Sequence, residues 1–219
     1  MLNFHIVSIF PEILSSYSNE SILKRAQKSK KIKINIYNPR DFSKDKHKKV
    51  DDKPYGGGPG MVMQIEPIVL AVKKILGKLK NNKNTKTIIF SPSGKKFTNI
   101  EAKKLSKYKN LILICGRYEG IDTRVKKILK ADLVSIGDYI LTGGEIPAMI
   151  VLDSVSRQIS GVLGNENSIE EKRISSSEVY TRPEIFKYNG KEYKVPEILL
   201  SGNHKEIEEW KLKSSGRAF

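Results

Sequence analysis

The chain has 219 residues, 38% of them hydrophobic, and a formal net charge of +16. That length supports one good core, or a core domain with a small appendage. No apolar run approaches the roughly 18 residues of a membrane-spanning helix, and the single cysteine, Cys115, excludes an intrachain disulfide. The charge is uneven: residues 1–160 hold 30 Lys/Arg against 14 Asp/Glu, whereas residues 161–219 hold 10 of each. A basic domain of this kind suits a polyanionic partner. Lysines also outnumber arginines by 32 to 8, a bias that an AT-rich genome produces with no partner at all.

In chain order, "NFHIVSI" (3–9) reads as a strand and not as a signal peptide, so the cytoplasm is the expected compartment. "SNESILKRAQKS" (18–29) reads as a helix. "KIKINIY" (31–37) alternates polar residues with isoleucine, the period of a strand. A polar loop from about Pro39 to Gly60 leads to a helix over 65–80, with Pro67 in its first turn. Next come a short strand (87–90), the loop "SPSGKKF", a helix (99–109), the apolar strand "NLILIC" (110–115) and the loop "GRYEGID". A helix (123–131), a strand (132–137), the stretch "DYILTGG" and a long helix (145–159) complete the first 160 residues.

Alternating strands and helices predict an α/β domain with a largely parallel sheet covered on both faces. Ligands of such sheets bind beyond the carboxyl ends of the strands. Three consecutive strand ends here carry glycine-rich polar loops, "SPSG", "CGRYEG" and "SIGDYILTGG". The Gly143-Gly144 pair implies a backbone with positive φ or a close approach by a neighbour. Residues 161–179 read as a linker. Residues 180–219 are too few for a core of their own and hold a helix over about 204–213.

The remaining motifs divide between structure and chemistry. "PYGGGPGM" (54–61) lacks the G-K-[ST] of a phosphate loop and follows no strand, so it reads as a hinge beside the charged "DKHKKVDD" (45–52). His47 stands far in sequence from His5 and His204, and no metal site is expected. Cys115 ends an apolar strand and reads as a small hydrophobe. Arg117, Tyr118 and Glu119 fit either a salt-bridged turn or a pocket wall. Arg157 fits either a helix end favoured by the dipole or a functional cation.

"DKHKKVDDKPYGGGPGMVM", "SPSGKKF", "CGRYEGIDTRV", "SIGDYILTGGEIPAM", "GVLGN", "YTRPEI" and "VPEILLSGNHKEIEEW" occur in this order. Together they resemble the bacterial tRNA (guanine-N1)-methyltransferase family, the TrmD type, over about residues 1–213. The resemblance implies a SPOUT-type parallel sheet with a deep trefoil knot over about 88–150, a rare exception to unknotted chains. It also implies a linker over 161–179 and a small, mostly helical tRNA-binding domain over 180–219, shortened at its basic end. The implied enzyme is a homodimer with sites at the subunit interface. It methylates guanosine 37 at N1, in tRNA with guanosine at positions 36 and 37, using S-adenosyl-L-methionine.

By motif match, Gly116, Ile136, Gly137, Asp138, Tyr139, Ile140 and Leu141 would line the cofactor site. Ser91, Pro92, Tyr118, Glu119, Gly143, Gly144 and Pro147 would adjoin it. His47, Asp51, Tyr55, Gly57 and Arg182 would meet RNA. Arg157 matches the family's arginine, which would steady charge on guanine O6. Straight counting from Arg157 puts Lys172 at the family's acidic position; a one-residue slip puts Glu171 there, and Glu171 is taken as the general base. The altered linker leaves two other readings open: a tRNA-binding homologue impaired in catalysis, and a methyltransferase for another RNA position.

Overall fold

A computed structural model of the chain describes residues 1–79, 82–163 and 178–214. The chain divides into two compact units, Met1–Gly164 and Asn165–Phe219. No helix among the described residues is long and apolar enough to cross a membrane.

The first unit is built on a five-stranded sheet. Its strands are β1 (Leu2–Val7), β2 (Ile32–Tyr37), β5 (Thr85–Lys96), β6 (Asn110–Ile114) and β7 (Asp132–Ser135), in the order β2-β1-β6-β5-β7. Every pairing in it is parallel, as the alternation predicts. Two short strands, β3 (Asp51–Asp52) and β4 (Val62–Met63), form a separate antiparallel pair inside the polar loop. β6 is buried throughout, which explains its uninterrupted apolar sequence. Its side chains alternate between faces: Leu111, Leu113 and Cys115 join one core cluster, Ile112 and Ile114 the other.

Helices α1 (Pro11–Ser18), α2 (Ser21–Lys28), α4 (Asn99–Leu105) and α6 (Glu145–Ser156) contribute to the first cluster. Helices α3 (Ile65–Lys78) and α5 (Arg124–Leu129) contribute to the second. Each fully buried Leu or Ile side chain contributes roughly 1.5–3 kcal/mol. α1 escapes a reading based on periodicity because it is short and rich in serine; Pro11 in its first turn is the cue to its start.

β5 is much longer than the expected 87–90. It passes through "SPSG" and continues to Lys96. Val134 of β7 pairs with both Phe90 and Lys95, so β5 advances five residues without advancing along β7. Gly94 lies against β7 at this point: a Cβ on it would stand 2.5 Å from the Val134 nitrogen.

The second unit holds α7 (His204–Ser214), as expected, and also an antiparallel hairpin of β8 (Ile185–Tyr188) and β9 (Lys191–Lys194). A mostly helical reading therefore understates its strand content. None of its described residues is buried.

Candidate active site

The bulged segment 91–93 inside β5 and the loops that leave the carboxyl ends of β6 and β7 border a cavity of about 500 Å³. The loop after β6 turns sharply, with Tyr118 at φ +58° and Gly120 at φ +119°. The Gly120 N–H closes that turn on the Arg117 carbonyl at 3.0 Å. Tyr118 is an unusual residue for the left-handed region, and such strain concentrates at functional sites.

The loop after β7 is fastened at both ends. Near its start the Ser135 hydroxyl donates to the Gly137 carbonyl at 3.0 Å, and the Tyr139 ring lies over Gly137. At its end the Gly144 N–H donates to the Gly116 carbonyl at 2.9 Å, and Gly143 pairs with Arg117. Neither Gly143 nor Gly144 adopts positive φ. The other alternative holds: a Cβ on Gly144 would lie 2.6 Å from Cys115 Cα, and one on Gly143 would strike the Arg117 side chain. The glycines permit two loops to touch.

The residues that the resemblance assigns to the cofactor come together here. Ser91, Pro92, Gly116, Tyr118, Glu119, Ile136, Gly137, Tyr139, Ile140, Leu141, Gly143, Gly144 and Pro147 all line the cavity. Asp138 does not; its carboxylate meets the Lys96 ammonium at 2.8 Å. Ile140 is 87% exposed at this site, an apolar surface held out of the core.

Arg117, Asp122, Lys126 and Thr142 also line the cavity and were not singled out for it by motif. Arg117 is both pocket wall and salt-bridged turn, lining the cavity while it pairs with Glu145 at 2.9 Å. Lys126 lies on α5, in a sequence with no motif to mark it. Arg124 grips Asp122 through two nitrogens, at 2.9 and 2.7 Å, and this pairing lowers the Asp122 pKa. The Cys115 thiol is pushed well up, first by burial and then by the Glu145 charge, so it is no nucleophile.

The glycine-rich loop is connected to this site. Gly56, Gly57, Gly58 and Gly60 all have positive φ. The Met63 N–H donates to the Gly120 carbonyl at 2.9 Å, and the Glu119 N–H donates to the Met61 carbonyl at 3.0 Å. β4 thus ties residues 54–61 to the loop after β6. Tyr55 is fully exposed, Asp51 pairs with Met63, and the His47 N–H donates to Asp45 at 2.8 Å. Arg182 belongs to the second unit and is exposed.

Arg157 caps α6, half-buried, and is not among the residues lining the cavity. One turn earlier, Asp153 accepts the Tyr17 hydroxyl at 2.5 Å, which raises the Tyr17 pKa to about 12. Glu171 and Lys172 lie outside the described residues.

Comparison with known proteins shows the family. The family model described as "tRNA (Guanine-1)-methyltransferase TrmD" matches residues 2–218. A tRNA (guanine-N(1)-)-methyltransferase of Clostridioides difficile (strain 630) is 49% identical over 220 residues, covering 99% of this chain and 93% of that protein. Proteins of the same name match in Thermomicrobium roseum, 52% identical over 96% of this chain and 77% of that one, and in Carboxydothermus hydrogenoformans, 50% identical over 98% and 83%. With all but the first and last residues covered by that model, the chain belongs to the tRNA (guanine-1)-methyltransferase TrmD family.

Proposed function

We propose that this protein is a cytoplasmic tRNA methyltransferase that transfers a methyl group from S-adenosyl-L-methionine to N1 of guanosine 37, in tRNA with guanosine at positions 36 and 37. The cavity between the bulge of β5 and the loops after β6 and β7 carries the reading. Its volume of about 500 Å³ falls within the roughly 300–1,000 Å³ usual for ligands of this size. Backbone N–H and C=O groups of residues 136–144 suit an adenine edge, and Ile136, Ile140, Leu141 and Pro147 suit its faces.

A trefoil knot is the proposed topology. The double pairing of Val134 and the close contact of Gly94 with β7 support it, since β5 bulges out between Phe90 and Lys95 and returns to the same point of β7. A homodimer is the proposed assembly. Phe10, Ile13 and Tyr17 around α1 and Ile146 on α6 are exposed apolar side chains, and Tyr17 bonds α6 directly. A site shared between two copies also fits Arg157 lying off the cavity of its own protomer.

Bound S-adenosyl-L-methionine supplies an electrophilic methyl group. The protein must then remove the proton from guanine N1 and steady the charge that develops on O6. Glu171 takes the proton and Arg157 faces O6. The test is a methyl-transfer assay with an unmodified tRNA transcript bearing G36 and G37, the product mapped by nuclease digestion and mass spectrometry. N1-methylguanosine at position 37 is expected, and Glu171→Gln is expected to lower kcat by about a hundredfold or more. Cofactor and tRNA binding without product would instead identify an impaired, tRNA-binding homologue.

A further inference from the structure

Glu145 is the one carboxylate among the described residues that is buried, at 2% exposure. It opens α6, directly after the glycine pair, yet its side chain turns inward. Both oxygens are engaged: Oε1 accepts the Ser8 hydroxyl at 2.6 Å and Oε2 accepts Arg117 Nε–H at 2.9 Å. Arg117 reaches further. Its Nη1 donates to the Thr142 carbonyl at 3.3 Å, and its guanidinium stands 4.6 Å from the centre of the Phe10 ring. Ser8 in turn accepts the Phe10 N–H at 3.0 Å. Neither Ser8 nor Glu145 lines the cavity, whereas Arg117 and Thr142 do.

A buried ion pair is a poor way to gain stability, because apolar residues of similar volume serve as well or better. What a carboxylate supplies here and an apolar side chain cannot is a fixed guanidinium. That guanidinium grips a carbonyl of the bend on which the cavity depends. The helix N-terminus favours the charge at this place, and the Ser8 hydroxyl fixes the rotamer of the carboxylate from the far side.

We infer that Glu145 and Ser8 are positioning residues for the methyl donor: through Arg117 they hold the 142–144 bend in the form that binds it. The inference rests on the reading of this cavity as the cofactor site. It assigns a role to two residues from the ends of β1 and α6 that touch neither substrate nor reacting atoms.

The test is calorimetric titration of the full-length protein, Ser8→Ala and Glu145→Gln with S-adenosyl-L-methionine, alongside steady-state kinetics and thermal unfolding. Loss of the hydroxyl should weaken cofactor binding by about fivefold. Loss of the charge should weaken it by about tenfold or more. The KM for the methyl donor should rise in parallel with these constants, while the KM for tRNA stays put. Glu145→Asp, which keeps the charge on a shorter arm, should recover part of the loss. Lower melting temperatures with unchanged cofactor affinity would overturn the inference and leave the network a structural one. If Glu145→Gln fails to fold, Ser8→Ala decides, and wild-type affinity in that variant overturns the inference. Failure of the unmodified protein to bind S-adenosyl-L-methionine would overturn the cofactor reading itself, and this inference with it.

Discussion

His5 sits inside β1 at 6% exposure, its ring 6.0 Å from that of Tyr37. Burial holds its pKa below the ordinary 6.5; Lys33 and Lys78 reinforce the shift and the Asn110 side chain opposes it. The folded protein therefore resists a proton that the unfolded chain accepts. Stability is full above pH 6.5 and falls as the pH drops below it, by at most about 1.4 kcal/mol per pH unit from this one group. His5→Phe should flatten that limb in urea unfolding measured between about pH 5 and pH 7. At this scale the sequence was informative about place and silent about cause. Gly143 and Gly144 line the cavity, but a glycine pair in a sequence does not distinguish a left-handed backbone from two loops in contact. Glu145 carried no cue beyond following that glycine pair, because nothing in a linear pattern turns a helix-opening carboxylate inward. The choice of Glu171 as base rests on a one-residue slip against Lys172, in a segment with no periodicity to fix the count.

Among the elements, β6 and α3 were legible because their apolar patterns are long and regular, and β5 was not. Its second half, "SPSGKK", has the composition of a turn, and only pairing with β7 holds it extended. Gly94 measures that dependence. Gly94→Ala would place a methyl group 2.5–2.7 Å from the backbone of Leu133 and Val134, and should cost roughly 2–4 kcal/mol in urea unfolding. Gly77 in α3 has open space around it; Gly77→Ala should stabilise by about 0.5–1 kcal/mol in the same experiment. The hairpin of the second unit was written plainly in the sequence. Asn189-Gly190 takes positive φ at both residues, +49° and +73°, as the favoured two-residue turn requires. A segment too short for a core of its own gives its strands no buried face, so the turn is their one strong signal.

For the molecule as a whole, the +16 charge belongs to the first unit's side of the chain. Binding of a labelled tRNA transcript, followed by fluorescence anisotropy, should weaken by at least about a hundredfold between ~50 and ~200 mM salt. A flat salt response would mean that the lysine excess is compositional only. The sheet order has a further consequence, in the time domain. β1 lies between β2 and β6, and its Asn3 pairs with Asn110. On a ribosome adding about 5–20 residues per second, the first strand waits roughly 5–20 s for that central neighbour. Throughout that interval one hydrogen-bonding edge of β1 lacks the strand that completes the sheet. A nascent chain of this kind is a client for chaperones until its hundred-and-tenth residue emerges, and the cavity cannot begin to form until later still.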